Sequence, residues 1–68
     1  MLIITYETNR GAVKSVAGEV VERPHHRLNN NQWRIRDSKG RDFWARENGQ
    51  VSNGVRRLGY TISVELAP

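Results

Sequence analysis

The amino-acid sequence predicts an all-β fold, a small antiparallel barrel or strongly bent sheet of five to six strands. Apolar and polar residues alternate along the chain, most clearly over residues 60–66 (YTISVEL), as they do in strands that are buried on one face. Three short turns at 9–11, 38–40 and 47–49 end in glycine, which readily adopts the left-handed conformation that closes three-residue hairpin loops. No window has the apolar spacing of a long amphipathic helix, which argues against a helical fold.

The first predicted hairpin joins two strands of unequal length. Residues 2–7 are rich in β-branched and aromatic side chains, with Leu2, Ile4 and Tyr6 on one face. A longer strand covers residues 13–23, and Gly18 within it predicts a bulge or a sharp bend of the kind that closes a small barrel. With a loop at 9–11, Ile4 pairs with Val16 and Leu2 pairs with Gly18.

The second hairpin contains both tryptophans and five of the eleven basic residues within residues 32–50. A three-residue loop at 38–40 places Trp33, Ile35, Phe43 and Ala45 on one face. The other face then carries Arg34, Arg36, Asp42, Trp44 and Arg46, with Arg34 across from Trp44. A two-residue loop at Ser38 and Lys39 sets Arg36 against Arg41, so the three-residue loop is favoured. The loop at 47–49 pairs Ala45 with Val51.

Two segments interrupt the strands. Residues 24–31 are polar and begin with a proline, which predicts a loop. Residues 52–59 have Val55 and Leu58 three apart, which suits a short 3₁₀ turn before the last strand. This order of elements resembles the layout of an SH3-like small barrel, in architecture alone and without a diagnostic motif. A small open sheet completed by a partner chain is the alternative.

Length and composition limit the class of protein. Sixty-eight residues predict a single β-barrel domain, residues 1–68, with a thin core and marginal stability. The absence of cysteine favours a cytoplasmic protein. We expect no signal peptide and no membrane association, because no segment approaches the length of a membrane span. The chain is expected to be a monomer, or a homodimer formed through a free strand edge at residues 2–7 or 60–66.

The charge predicts an anionic partner. The chain carries a formal net charge of +4, and nine of its eleven basic residues are arginine, whose planar guanidinium binds phosphate and stacks on bases. We therefore expect a nucleic-acid-binding module of low sequence specificity, for DNA or RNA, with an exposed tryptophan that stacks on bases. The residues predicted to bind nucleic acid are Arg34, Arg36, Lys39, Arg41, Trp44, Arg46, Arg56 and Arg57. A tryptophan buried in a small second core, under the 24–31 loop, is the competing interpretation of Trp44.

Other functions have weaker support. The alternative is a protein-interaction module, a regulator or inhibitor that docks its basic face or a sheet edge on an acidic partner protein. The adjacent His25 and His26 lack further ligands at metal-binding spacing, so no metal site is predicted. Asp37 and Asp42 face Arg41 and Arg36, which predicts ion pairs instead of catalysis. No nucleotide-binding or nucleophile motif is present, so we expect neither an enzyme nor a cofactor.

Overall fold

The computed structural model describes residues 1–67, so Pro68, the last residue of the predicted domain, lies outside the described residues. In this part of the chain there are six strands and no helix, and the prediction of an all-β fold is confirmed. Residues 1–67 therefore contain no helix long and apolar enough to cross a membrane. The strands are β1 (Leu2–Glu7), β2 (Val13–Glu22), β3 (Trp33–Arg36), β4 (Asp42–Ala45), β5 (Gln50–Ser52) and β6 (Arg57–Leu66).

The strands form a closed antiparallel ring in chain order, in which β6 pairs with β1. Because β1 lies between β2 and β6, both of its sides are paired. The two segments expected to offer free edges to a second copy, residues 2–7 and 60–66, instead pair with each other. The amide of Ala67 donates a hydrogen bond of 2.8 Å to the carbonyl of Met1, so the two ends of the described chain lie side by side.

β2 changes partners along its length. Val13 to Gly18 pair with β1, whereas Glu19, Val20 and Glu22 pair with β3 across a bulge that follows Val20. At Gly18 the backbone comes so close to the carbonyl of Arg36 that a Cβ atom would collide with it. Gly18 therefore lies where β2 changes partner and approaches another backbone closely, whereas the bulge lies after Val20 and not at the glycine where it was predicted.

The β3–β4 hairpin has the predicted register. Arg34 pairs with Trp44, Ile35 with Phe43 and Trp33 with Ala45. Gly40, which has a φ of 80°, donates its amide to the carbonyl of Asp37 at 3.0 Å, as in a three-residue glycine-closed loop. The predicted pairs of the first hairpin, Ile4 with Val16 and Leu2 with Gly18, are also present.

The structure differs from the sequence predictions in two turns. The 47–49 loop gives the predicted pair of Ala45 and Val51, although Gly49 does not adopt the left-handed conformation. The predicted 3₁₀ turn within 52–59 is wrong. Asn53 instead closes a tight β5–β6 hairpin by donating its amide to the carbonyl of Arg56 at 3.2 Å. The Asn53 side chain also accepts backbone hydrogen bonds in this turn, and such bonds compete with helical ones.

The core lies inside the ring and separates the two faces of each strand. Trp33 is buried there, as predicted, with its neighbours from the other strands: Leu2, Ile4, Tyr6, Ile35, Phe43, Ala45 and Val51. Side chains between these positions point outward. The outer surface of the ring therefore presents the charged residues of the central hairpin.

Candidate nucleic-acid interface

The outer face of the β3–β4 hairpin holds an ion-pair network centred on Asp42. Arg36 Nε donates to Asp42 Oδ1 at 2.7 Å, and Arg34 Nη2 donates to Asp42 Oδ2 at 2.6 Å. Arg34 also reaches Glu22 Oε1 through Nη1 at 3.2 Å. Two guanidinium groups therefore face two carboxylates, and this network has no net charge.

Hydrogen bonding within the network shifts the pKa values of Asp42, Arg34 and Arg36. The hydrogen bonds from Arg36 and Arg34 lower the pKa of Asp42 from 3.8 to about 2, against the opposing effect of partial burial. The same contacts with Asp42 raise the pKa of both arginines. Although the Asp42 side chain is only 13% exposed, the hydrogen bonds from the two arginines keep it ionised.

Trp44 lies on the outer side of the ring. Its side chain is half-buried, whereas the sequence analysis predicted an exposed one. The guanidinium carbon of Arg34 is 5.2 Å from the centre of the Trp44 ring, a cation–π contact. The ring also packs against the β5–β6 turn, because a Cβ atom on Gly54 would be 2.9 Å from Trp44 Cζ3. These neighbours leave the indole poorly placed to stack on a base.

The β3–β4 turn and the β4–β5 turn hold the next three predicted residues. Arg41 Nε donates to Asp37 Oδ2 at 3.0 Å, whereas the exposed Lys39 donates only its backbone amide to Asp37. The pKa of Asp37 is lowered, mainly by the hydrogen bond from the Arg41 amide. Arg46 lines a separate depression of about 380 Å³, together with Glu47. Of these three cations, Arg41 alone forms an ion pair within residues 1–67.

Arg56 and Arg57 lie elsewhere, at the opening of two overlapping depressions of about 390 and 450 Å³. The β1–β2 hairpin forms the other side of these depressions and contributes Arg10 and Lys14. Of the residues described, four cations and no carboxylate line this surface, which we call the basic groove. None of its four cations forms an ion pair within residues 1–67.

An aromatic side chain lies next to the basic groove. Arg57 Nη1 donates to the hydroxyl of Tyr60 at 3.0 Å, and the Arg57 guanidinium carbon is 5.1 Å from the Tyr60 ring centre. Tyr60 is 50% exposed, so a ligand can reach its ring more easily than the half-buried ring of Trp44. Tyr60 pairs with Glu7, which in turn pairs with Val13, so this row of three places a carboxylate between two apolar side chains.

The β5–β6 turn that carries Arg56 is held by side-chain hydrogen bonds. Asn53 Oδ1 accepts the amides of Val55 at 2.9 Å and Arg56 at 3.0 Å. Ser52 Oγ accepts the amide of Gly54 at 2.9 Å, and Gly54 has a φ of 88°. The Asn53 bonds form an Asx turn and the Ser52 bond forms the equivalent serine turn, and together they give the tip a defined backbone conformation.

Sequence analysis missed Arg10 and Lys14. The turn at 9–11 and the strand after it were predicted, but the partner of β1 on its other side was not. The pairing of Glu7 with Tyr60 brings the first hairpin beside the last one and so assembles the groove. A signal was present in the sequence, because closing a six-stranded ring requires the first and last strands to pair.

The histidines lie in the β2–β3 loop. His25 Nδ1 accepts the amides of Arg27 and Leu28, each at 3.2 Å, and its ring stacks on His26 at 5.1 Å. In residues 1–67 no cluster of three or more histidine, aspartate or glutamate side chains is placed to hold a metal ion. His25 thus organises the loop backbone.

Comparison with protein families, with curated proteins and with solved structures finds no match to this chain. The geometry of the chain is therefore the basis for its functional interpretation.

Proposed function

We propose that this chain binds nucleic acid, with little sequence specificity, through the basic groove. The observation that carries the proposal is the grouping of Arg10, Lys14, Arg56 and Arg57 around depressions that no described carboxylate lines. Unpaired cations on a concave surface attract phosphate and release condensed counterions when it binds. The proposed binding surface is therefore the basic groove, which includes the predicted Arg56 and Arg57, and not the outer face of the β3–β4 hairpin.

The ion pairs of the central hairpin support this change of location. Arg34 and Arg36 already bind Asp42, so a phosphate would have to compete with a carboxylate for each of them. Arg56 and Lys14 face no such competition within the described chain. Charges that are unpaired before binding contribute more to polyanion affinity than charges that must first be released.

Low specificity follows from the kind of groups in the groove. Guanidinium and ammonium groups contact phosphates, which fix position without reporting base identity. The hydroxyl of Tyr60 is bonded to Arg57, and Arg57 also lies against the tyrosine ring. The groove therefore offers few free groups for reading base edges.

The test is a fluorescence-anisotropy titration of labelled 20-base-pair duplex DNA, single-stranded DNA and RNA between 50 and 300 mM salt. If all four cations contact phosphates, log affinity should fall against log salt with a slope of about −3.6 on duplex DNA. Replacing Arg56 or Arg57 by alanine should each reduce the slope by about 0.9. Arg27→Ala is the matched control, because Arg27 is an exposed arginine in the β2–β3 loop.

Absence of binding to all three polymers at 50 mM salt contradicts the proposal. So does a slope that Arg56→Ala and Arg27→Ala reduce equally, since binding would then reflect overall charge instead of the groove.

A second candidate is docking on an acidic protein partner. Val13 and Tyr60 are exposed apolar side chains on either side of Glu7 in the strand ladder, and 64% of Val13 is exposed. Apolar and arginine side chains together are typical of protein interfaces. Protein docking of this kind should change little with salt and should be abolished by Val13→Ser. Nucleic-acid binding should instead weaken steeply with salt and should be unaffected by Val13→Ser.

A further inference from the structure

We infer that the ligand of the basic groove is B-form duplex DNA, and that the β5–β6 hairpin enters its major groove with Val55 at the tip. This inference rests on the proposed function and adds the class of nucleic acid and the element that contacts it. It begins from the position of Val55, an apolar side chain that is 91% exposed beside Arg56.

An apolar residue at this position has no role in the fold. Val55 contributes nothing to the core cluster, and turns of this type are usually formed by glycine, asparagine or aspartate. The backbone of the turn is already held by Asn53 and Ser52. The tip therefore presents a methyl surface in a fixed direction, which lowers the entropy cost when a ligand covers it.

The β5–β6 turn also packs against side chains of the β3–β4 hairpin. Gly54 packs on the ring of Trp44, and Arg34 lies against the same ring with its guanidinium held by Asp42. This stack connects the ion-pair network to the hairpin. We assign Trp44 and Arg34 as positioning residues, which hold the tip instead of contacting the ligand.

The dimensions of the hairpin select the ligand. β5 also pairs with β4, and β6 also pairs with β1, so only the turn at 53–56 extends beyond the paired strands of the ring. The two sides of such a turn lie about 4.8 Å apart and fit the B-DNA major groove, which is about 12 Å wide. The major groove of A-form RNA is too deep and narrow for side chains to read. Binding of single strands depends on several aromatic platforms along the strand, whereas Trp44 is half-buried and Tyr60 is the one exposed tyrosine, tryptophan or phenylalanine side chain in residues 1–67.

The chemistry of the tip matches this groove. The thymine methyl groups form apolar contacts with protein side chains in the major groove, and Val55 is the only aliphatic residue of the 53–57 segment. Arg56 and Arg57 directly follow Val55 in the chain, and they line the same depressions as Arg10 and Lys14 of the β1–β2 hairpin. A tip inserted between the two backbones places these cations near the phosphates of one strand.

The test compares the wild-type chain with Val55→Thr, a change that keeps the branched shape and replaces one methyl group by a hydroxyl. Leu28→Thr is the matched control, because Leu28 is 80% exposed in the β2–β3 loop. Each protein is titrated by fluorescence anisotropy with an A·T-rich 20-base-pair DNA duplex, the duplex RNA of the same sequence, and one DNA strand alone. A fourth ligand is the same DNA duplex with uracil in place of thymine.

We expect the DNA duplex to bind at least tenfold more tightly than the other two polymers. Val55→Thr should weaken its binding about tenfold, since the variant removes one methyl group from the interface and desolvates a hydroxyl. Leu28→Thr should change it less than twofold. Uracil substitution removes the major-groove methyl groups and should weaken wild-type binding about fourfold for each thymine methyl that Val55 covers.

Failure of the inference differs from failure of the proposed function. Equal affinity for duplex RNA or for the single strand overturns the inference, as does a duplex affinity that Val55→Thr or uracil leaves unchanged. In each of those results the groove still binds nucleic acid. Lack of binding to every polymer overturns both proposals.

Discussion

Arg34 lies directly across the β3–β4 ladder from Trp44, with its guanidinium carbon 5.2 Å from the centre of the indole ring. Asp42 and Glu22 bind the other side of the same guanidinium group. Three of the five cations in the stretch richest in arginine and aromatic residues, Arg34, Arg36 and Arg41, are therefore paired with carboxylates of the protein. These three are less available to a ligand than the cations of the groove.

The salt dependence of nucleic-acid binding should separate the ion-pair network from the basic groove. Arg36→Ala should leave the slope of log affinity against log salt unchanged, because Asp42 already neutralises that guanidinium. Arg10→Ala should reduce the slope by about 0.9, the value for removing one neutralised phosphate on duplex DNA. Anisotropy titrations at four salt concentrations measure both slopes. If Arg36→Ala reduces the slope more than Arg10→Ala does, the nucleic acid binds the outer face of the β3–β4 hairpin and not the basic groove.

Acid should destabilise the protein partly through Asp42. Its folded-state pKa is lowered from 3.8 to about 2, so the ionised carboxylate stabilises the fold above about pH 4. That contribution should disappear as the pH falls from about 4 to about 2. Asp42→Asn should therefore lower the urea midpoint at pH 7 and flatten its change over this range. Asp37, whose pKa is also lowered, should leave a residual acid dependence.

Tryptophan fluorescence during urea unfolding measures these midpoints at pH 7 and at pH 2.5. Glu65→Gln is the control, because Glu65 is exposed and forms no ion pair within residues 1–67. A midpoint of Asp42→Asn that falls as steeply with acid as the wild-type midpoint contradicts the assignment.

Replacing Gly40 and Gly18 by alanine should distinguish two reasons for glycine, a left-handed backbone conformation and a lack of space for a side chain. Gly40 has a φ of 80° and open space around it, so Gly40→Ala should cost about 1–2 kcal/mol for the left-handed conformation alone. Gly18→Ala places a methyl group against the Arg36 carbonyl and should cost about 3 kcal/mol or more. The free energies of unfolding in urea give both values. Equal costs would mean that β2 moves away from β3 without difficulty.

The two tryptophans should respond differently to truncation. Trp33 lies in the core, and Trp33→Ala should reduce the free energy of unfolding by about 3–5 kcal/mol, which is enough to unfold much of this small protein. Trp44→Ala should leave a folded ring with a less ordered β5–β6 turn, since Gly54 loses the surface on which it packs. Circular dichroism and amide exchange of Val55 and Arg56 report on the two effects. Unfolding by Trp44→Ala alone would contradict the assignment of inside and outside.

The registers were predictable from sequence because local chemistry determines them. In the β3–β4 hairpin, a glycine that tolerates positive φ and an alternation of Trp33, Ile35 and Phe43 allow only one sensible pairing. A shift by one residue would have exposed the whole apolar set. The same reasoning identified the ion pairs of Asp37 and Asp42.

The candidate site was less predictable because it depends on contacts between distant parts of the chain. Pairing of Glu7 with Tyr60 joins two hairpins that are separated by most of the sequence, and no local pattern specifies that pairing. The coverage of Trp44 depends on where the β5–β6 turn falls. That turn is held by two hydrogen-bonding side chains, Ser52 and Asn53, which the 3₁₀ prediction did not take into account.

The hydrogen bond from Ala67 to Met1 has a practical consequence for engineering. Because the two positions are neighbours, a short linker between residues 1 and 67 would close this part of the chain into a cyclic backbone. New ends could then be opened at Leu28, in the exposed β2–β3 loop, to give a circular permutant. Cyclisation would also restrict the unfolded chain, and so raise the melting temperature without altering a single side chain in the interior.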